Sequence, residues 1–153
     1  MKKLMMIAAL MLMSVGAFAQ EAGKMAVGAD LNMAFDSKTF VGAGAKLQYS
    51  LTENFRLEGK AIYFFEDYTL WNANAGLQYV IPVADKLFVY PEAGVGVHGS
   101  DSSSIFSFFG GGGIEYYITD KIKATGDLIY QYGKKDGVSF DFPLLSFGAA
   151  YVF

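Results

Sequence analysis

From Met25 onward, hydrophobic and non-hydrophobic positions alternate with a period of two, the mark of strands that show different residues to their two faces. In the first segment Met25, Val27, Ala29, Leu31, Met33 and Phe35 alternate with Ala26, Gly28, Asp30, Asn32 and Ala34. The same grammar runs through residues 41–51, 55–65, 71–81, 89–97, 106–116, 122–132 and 143–153. Turns follow at Leu51-Thr52-Glu53-Asn54, at Pro82 to Lys86 and at Ile118-Thr119-Asp120-Lys121, which echoes the first, while Lys134-Lys135-Asp136-Gly137 precedes the last segment. Eight segments of roughly 10 to 13 residues have the length a tilted strand needs to cross a bilayer, and an even number allows a closed antiparallel barrel. Pro91 sits inside the fifth segment. It donates no ladder bond, so the spacing predicts a bulge or local irregularity there.

Charge sharpens this pattern. Asp30, Lys46, Arg56, Glu58, Lys60, Glu92, Glu115, Lys123 and Asp127 all fall on the second, less apolar face, and no charge falls on the first face of the segments so drawn. Alternation alone also fits a soluble, lipocalin-like barrel with its apolar face inward. Two features favour an apolar face turned outward to lipid. Glycine crowds the polar face (28, 42, 44, 76, 94, 96, 111, 113 and 148), whereas Phe, Tyr, Leu and Trp collect on the other. Eight strands leave an interior just wide enough for side chains, so small residues are expected inside and bulky ones outside. The apolar-face aromatics also cluster at segment ends: Phe35, Phe65, Trp71, Phe106 and Tyr132 toward one rim, and Tyr49, Phe55, Tyr79 and Tyr116 toward the other, with Tyr151 and Phe153. Two such girdles suit the two headgroup regions of a membrane.

Composition narrows the class. The 153 residues are 53% hydrophobic and 18% charged, which excludes disorder and leaves one domain. Basic residues are scattered and the net charge is −3, so there is no cationic face for nucleic acid. Residues 1–19 read as a cleaved secretory signal peptide: Lys2 and Lys3, the apolar run Leu4 to Met13, then Ala17-Phe18-Ala19 before Gln20. Residues 20–153 are the expected barrel domain. The absence of cysteine excludes a disulfide framework, a thiolate nucleophile and a Cys-ligated metal; no metal or cofactor is expected.

Signal peptide, eight amphipathic strands, the two Thr-containing turns and a terminal phenylalanine together resemble the small eight-stranded outer-membrane barrels of the OmpA and OmpX type, the porin-family proteins. The resemblance implies an all-β, eight-stranded, up-and-down transmembrane barrel in the outer membrane of a Gram-negative-type bacterium. It implies periplasmic termini and periplasmic turns near Thr52, Asp85 and Asp120, with extracellular links near Ser37, Asp67, Ser102 and Lys135. Phe147, Tyr151 and Phe153 resemble the C-terminal signal read during insertion. The partners implied are outer-membrane lipid and lipopolysaccharide, with periplasmic chaperones and the barrel-assembly machinery during biogenesis, and the protein is expected to be a monomer.

Charges removed from water are costly unless paired, so Arg56, Lys60, Lys46 and Lys123 are expected to pair with Glu58, Glu92, Glu115 and Asp127 across neighbouring strands. Such a network plugs a narrow lumen, and the expected role is structural and non-catalytic. The alternatives are a narrow pore for ions or small solutes, a soluble barrel binding an apolar ligand, and a lipid A deacylase using the sole histidine, His98, with Ser100 and Glu115. Against the last, His98 and Ser100 face the lumen rather than lipid, and Asp101 stands where that family has an oxyanion-stabilising Asn. Gly110 to Gly113 lacks the Lys-Ser or Lys-Thr of a phosphate loop. The links at the far end, expected at about four to six residues, are too short for a loop-borne receptor.

Overall fold

Alternating side-chain direction along each strand sets the layers of this molecule: odd-numbered residues face out in the strands up to residue 100 and in the last strand, even-numbered residues face out over residues 104–133, and the others face in. The computed structural model describes residues 2–3, 22–36, 38–67, 69–100 and 103–153. The run Leu4 to Met13, Ala17-Phe18-Ala19, Gln20, Ser37, Asp101 and Ser102 lie outside the described residues. The strands are β1 (Met25–Phe35), β2 (Thr39–Ser50), β3 (Phe55–Phe64), β4 (Leu70–Tyr79), β5 (Ile81–Pro82), β6 (Leu87–Ser100), β7 (Ser104–Tyr117), β8 (Ile122–Lys135) and β9 (Val138–Val152). Each pairs antiparallel with its neighbours, β1 pairs with β9, and β4 with β6, so the sheet closes and no edge is left.

β4 and β5 are one traverse. Gln78 pairs with Glu92 and Ile81 with Val89, a single register that sets Tyr79 opposite Pro91. Pro91 has no N–H to donate, so β4 stops at Tyr79 and β5 resumes beyond Val80. The barrel thus has eight traverses. Among the described residues no helix is long and apolar enough to cross a membrane; the spanning elements are strands.

At the end carrying the termini, the three turns have four residues each and the same geometry: Leu51, Val83 and Ile118 donate their N–H to the carbonyls of Phe55, Leu87 and Ile122, and Thr52, Ala84 and Thr119 donate to the same acceptors. At the opposite end the links run over residues 36–38, 65–69, 101–103 and 136–137. They are shorter than the expected four to six residues in all but one case, because β2 and β6 to β9 run on beyond the segments read from the sequence. Asp136 and Gly137 both have positive φ (53° and 80°), the backbone of a two-residue hairpin whose twist matches that of its strands.

The outer surface carries exposed apolar residues on every traverse, among them Leu31, Leu47, Leu57, Leu128 and Phe147. Phe35, Phe65, Phe106 and Tyr132 at one rim, and Tyr49, Tyr116, Tyr151 and Phe153 at the other, are exposed on this face. One girdle expectation needs correction, and two further girdle residues are partly covered by their neighbours. Phe55 is only 8% exposed because Tyr79, its cross-strand partner, packs edge-on against it at 5.4 Å, which also half-buries Tyr79. Trp71 is half-buried because its ring lies over Gly99, its partner on β6. The outer face is also not free of charge: Asp141 on β9 faces out near the hairpin end, where it accepts a hydrogen bond from the Tyr130 hydroxyl.

The interior corrects the expectation of small residues alone. Ile62, Phe64, Leu70, Phe109, Ile129, Phe142, Leu144 and Ala34 form a buried apolar cluster inside the hairpin half of the barrel. Bulk fits because its neighbours are small. Asp30 pairs with Gly44 on one side and Gly148 on the other, Glu58 with Gly76, Glu92 with Gly111, and Tyr90 with Gly113. A Cβ on Gly113 would come within 2.5 Å of the Tyr90 ring.

Candidate functional site

All nine charges expected on the inner face are buried in the lumen: Asp30, Lys46, Arg56, Glu58, Lys60, Glu92, Glu115, Lys123 and Asp127. They form two groups at different depths. Toward the termini, Glu115 lies 3.0 Å from Arg56 Nη1 and 3.0 Å from Lys123 Nζ. Arg56 Nε donates to Gln78 Oε1 at 2.6 Å, and Gln78 Nε2 donates to Glu92 Oε2 at 3.0 Å. Mid-barrel, Lys60 Nζ lies 3.2 Å from Asp127, 3.5 Å from Asp30 and 3.8 Å from Glu58, and Lys46 Nζ lies 3.5 Å from Asp30 and donates to Thr125 at 2.6 Å. Tyr90 joins the groups. Its ring lies 5.1 Å beneath the Arg56 guanidinium and its hydroxyl donates to Asp127 at 3.3 Å.

Lys123 pairs with Glu115 on the neighbouring strand β7 as expected, but the partners of Arg56 and Lys60 differ. Arg56 and Lys60, both on β3, reach Glu115 on β7 and Asp127 on β8 across the lumen. In a barrel of eight strands, long side chains from opposite walls meet near the axis. Asp30, absent from the expected pairs, takes both Lys46 and Lys60, while Glu92 is held by the Gln78 amide in place of a cation.

Above these layers lies an amide cluster that sequence reading missed. Asn72 donates to Gln131 Oε1 at 3.0 Å, and Gln131 Nε2 donates to Ser107 at 2.6 Å and to Asn74 at 3.3 Å. Only their inward phase could have marked them. Next comes the apolar cluster, and then His98, whose ring centroid lies 5.5 Å from those of Phe140 and Phe142 and 6.4 Å from that of Phe64. His98 pairs with Ile105 on β7, ten residues along that strand from Glu115, or about 33 Å at strand rise. His98 and Glu115 therefore belong to opposite ends of the barrel. Among the described residues no group of His, Asp and Glu is arranged to hold a metal ion.

Two vestibules enter the lumen from its ends. The one at the termini end has a volume of about 470 Å³ and that at the hairpin end about 200 Å³, the latter lined by Asp36, Phe40, Phe64 and His98 among others. Between them a gap of about 10 Å³ beside Glu58, Lys60 and Glu92 has room for about one water. Phe147, Tyr151 and Phe153 are exposed on the outer face of the terminal strand segment, Tyr151 packing edge-on against Phe153 at 5.5 Å.

The family model for the outer membrane protein beta-barrel domain matches residues 5–153. No curated protein sequence matches the chain. Among solved structures, the N-terminal β-barrel domain of Pseudomonas aeruginosa OprF is similar at 20% identity and a TM-score of 0.74, over 88% of this chain and 100% of that one. Neisserial surface protein A is similar at 13% identity and 0.65, over 84% and 94% of the two chains. Ail, the attachment invasion locus protein of Yersinia pestis, is similar at 19% identity and 0.57, over 86% and 99%. At these identities the likeness speaks for the fold. Strand number, closure, an apolar exterior and a match over nearly the whole length agree, and the chain belongs to the outer-membrane protein β-barrel domain family of the bacterial outer membrane.

Proposed function

We propose that this protein is a non-catalytic envelope barrel whose lumen is closed by its own side chains. The observation that carries this reading is the continuous chain Lys123–Glu115–Arg56–Gln78–Glu92, which crosses the interior from β8 to β6 with contacts of 2.6 to 3.1 Å. The stacked amide and apolar layers beyond it support the same reading. Breaking such a pair by removing one partner leaves a buried charge uncompensated, a cost of about 3–5 kcal/mol, so the plug resists opening. The rival is a narrow pore, which requires the ion pairs to exchange partners. An export signal in residues 1–19, periplasmic termini, a monomeric state and recognition of Phe147, Tyr151 and Phe153 by the assembly machinery complete the reading. Lipid and lipopolysaccharide are the surroundings that the apolar exterior suits.

Single-channel conductance in a planar bilayer tests it. The wild type is expected to give no discrete steps, while a double variant, Arg56→Ala with Glu115→Ala, which interrupts the chain at two adjacent links, gives small ones. Discrete steps in the wild type would reject the closed lumen in favour of the pore. Unchanged lipid A acylation in cells carrying His98→Ala is the expected result for a protein without that hydrolase chemistry.

A further inference from the structure

The 470 Å³ vestibule at the termini end has an unbalanced floor. Arg56 and Lys123 line it, are both 1% exposed, and share one carboxylate, that of Glu115. The carboxylate that balances the second cation, Glu92, lines the mid-barrel gap and not the vestibule, and is reached only through the Gln78 amide, so the two cations meet the vestibule with one carboxylate between them. Arg56 adds a second sign: its Nη2 is buried and has no hydrogen-bond partner among the described residues, although a guanidinium N–H rarely goes unused. Above the floor, Lys86 and Lys121 line the same space. The rim carboxylates of Asp85 and Asp120 form no ion pair with the floor cations among the described residues.

We propose that this vestibule is a binding site for a phosphate-class oxyanion, held by Arg56 and Lys123 from below and by Lys86 and Lys121 at the rim. A guanidinium with a spare N–H offers the directional donor such an anion takes, and the lysines supply point charge. The volume exceeds that of a bare phosphate, so the group can arrive free or on a lipid headgroup. The site does not depend on whether the lumen conducts.

The test titrates the maltoside-solubilised protein with inorganic phosphate at ionic strength held constant with potassium chloride, and follows phosphorus NMR line width. A second arm replaces phosphate with a short-chain, dihexanoyl phosphatidic acid. Binding by the wild type, weakened at least threefold by Lys86→Gln with Lys121→Gln and unchanged by Lys38→Gln at the opposite end, is the expected result. Binding in the first arm identifies a free anion and binding in the second alone a headgroup, and either supports the site. The rim variant leaves the buried pairs untouched, so folding does not confound it; Lys123→Gln, checked for a folded barrel, is expected to weaken binding further. No binding in either arm, or binding that the rim variant leaves unchanged, overturns the proposal.

Discussion

At the three termini-end turns a single hydroxyl separates sites of the same backbone geometry. Thr52 Oγ1 accepts from the N–H of Asn54 and Phe55, and Thr119 Oγ1 accepts from Lys121 and Ile122, whereas Ala84 at the matching position of the third turn offers nothing. Such a bond is worth about 1 kcal/mol. Thr119→Ala is therefore expected to lower unfolding free energy in urea by about 1 kcal/mol, and Ala84→Thr to raise it by a similar amount or less. Equal midpoints for all three proteins would show the hydroxyls idle. The inward phase of Asp30 and Arg56 is readable in the sequence, because one residue's shift reverses a side chain's face. Their partners are not: Arg56 meets Glu115, fifty-nine residues away, only because the stagger of the closed sheet brings β3 and β7 to one depth.

At the scale of the element, Pro91 and the Asp136-Gly137 hairpin show punctuation acting on strands. Pro91 interrupts the ladder opposite Tyr79, and its side chain faces out, where a β-branched residue would fit. Pro91→Val is expected to restore the missing bond and join β4 to β5, protecting residue 91's new amide from exchange and adding about 0.5–1.5 kcal/mol. Rapid exchange at that amide would show that the gap has another cause. The irregularity near Pro91 is legible because it follows from a missing donor. The longer β6 to β9 are harder to see, since Val138 to Phe142 lack the clean apolar alternation of the membrane-spanning segments and pair through the hairpin that joins them to β8.

For the whole molecule, the apolar band fixes where lipid lies, and the cost of violating it depends on depth. Leu31, 61% exposed in the middle of β1, and Tyr49, near the termini-end rim of β2, sample the two extremes. Leu31→Arg is expected to destabilise the lipid-embedded barrel by about 2–4 kcal/mol and Tyr49→Arg by about 1 kcal/mol or less from the charge itself. Urea unfolding in vesicles, followed by fluorescence of Trp71, measures both; equal losses would place the membrane elsewhere on the barrel. The lumen network and the vestibule at the termini end are likewise properties of the assembled ring, since each draws residues from strands that are not neighbours.

Periodicity, turn chemistry and the apolar face were determined by the sequence itself, because each depends on residues within one strand or one turn. Eight traverses and the shared face of Asp30 through Asp127 follow from that local information, whereas closure is the pairing of β1 with β9, residues more than a hundred apart. Tertiary structure decided what the inward residues touch: which carboxylate serves Arg56, that Glu115 is shared with Lys123, and that Phe64, Phe109 and Phe142 meet in one apolar layer. Those contacts depend on the relative height of strands around the ring, a quantity set by all the registers together and carried by no single segment.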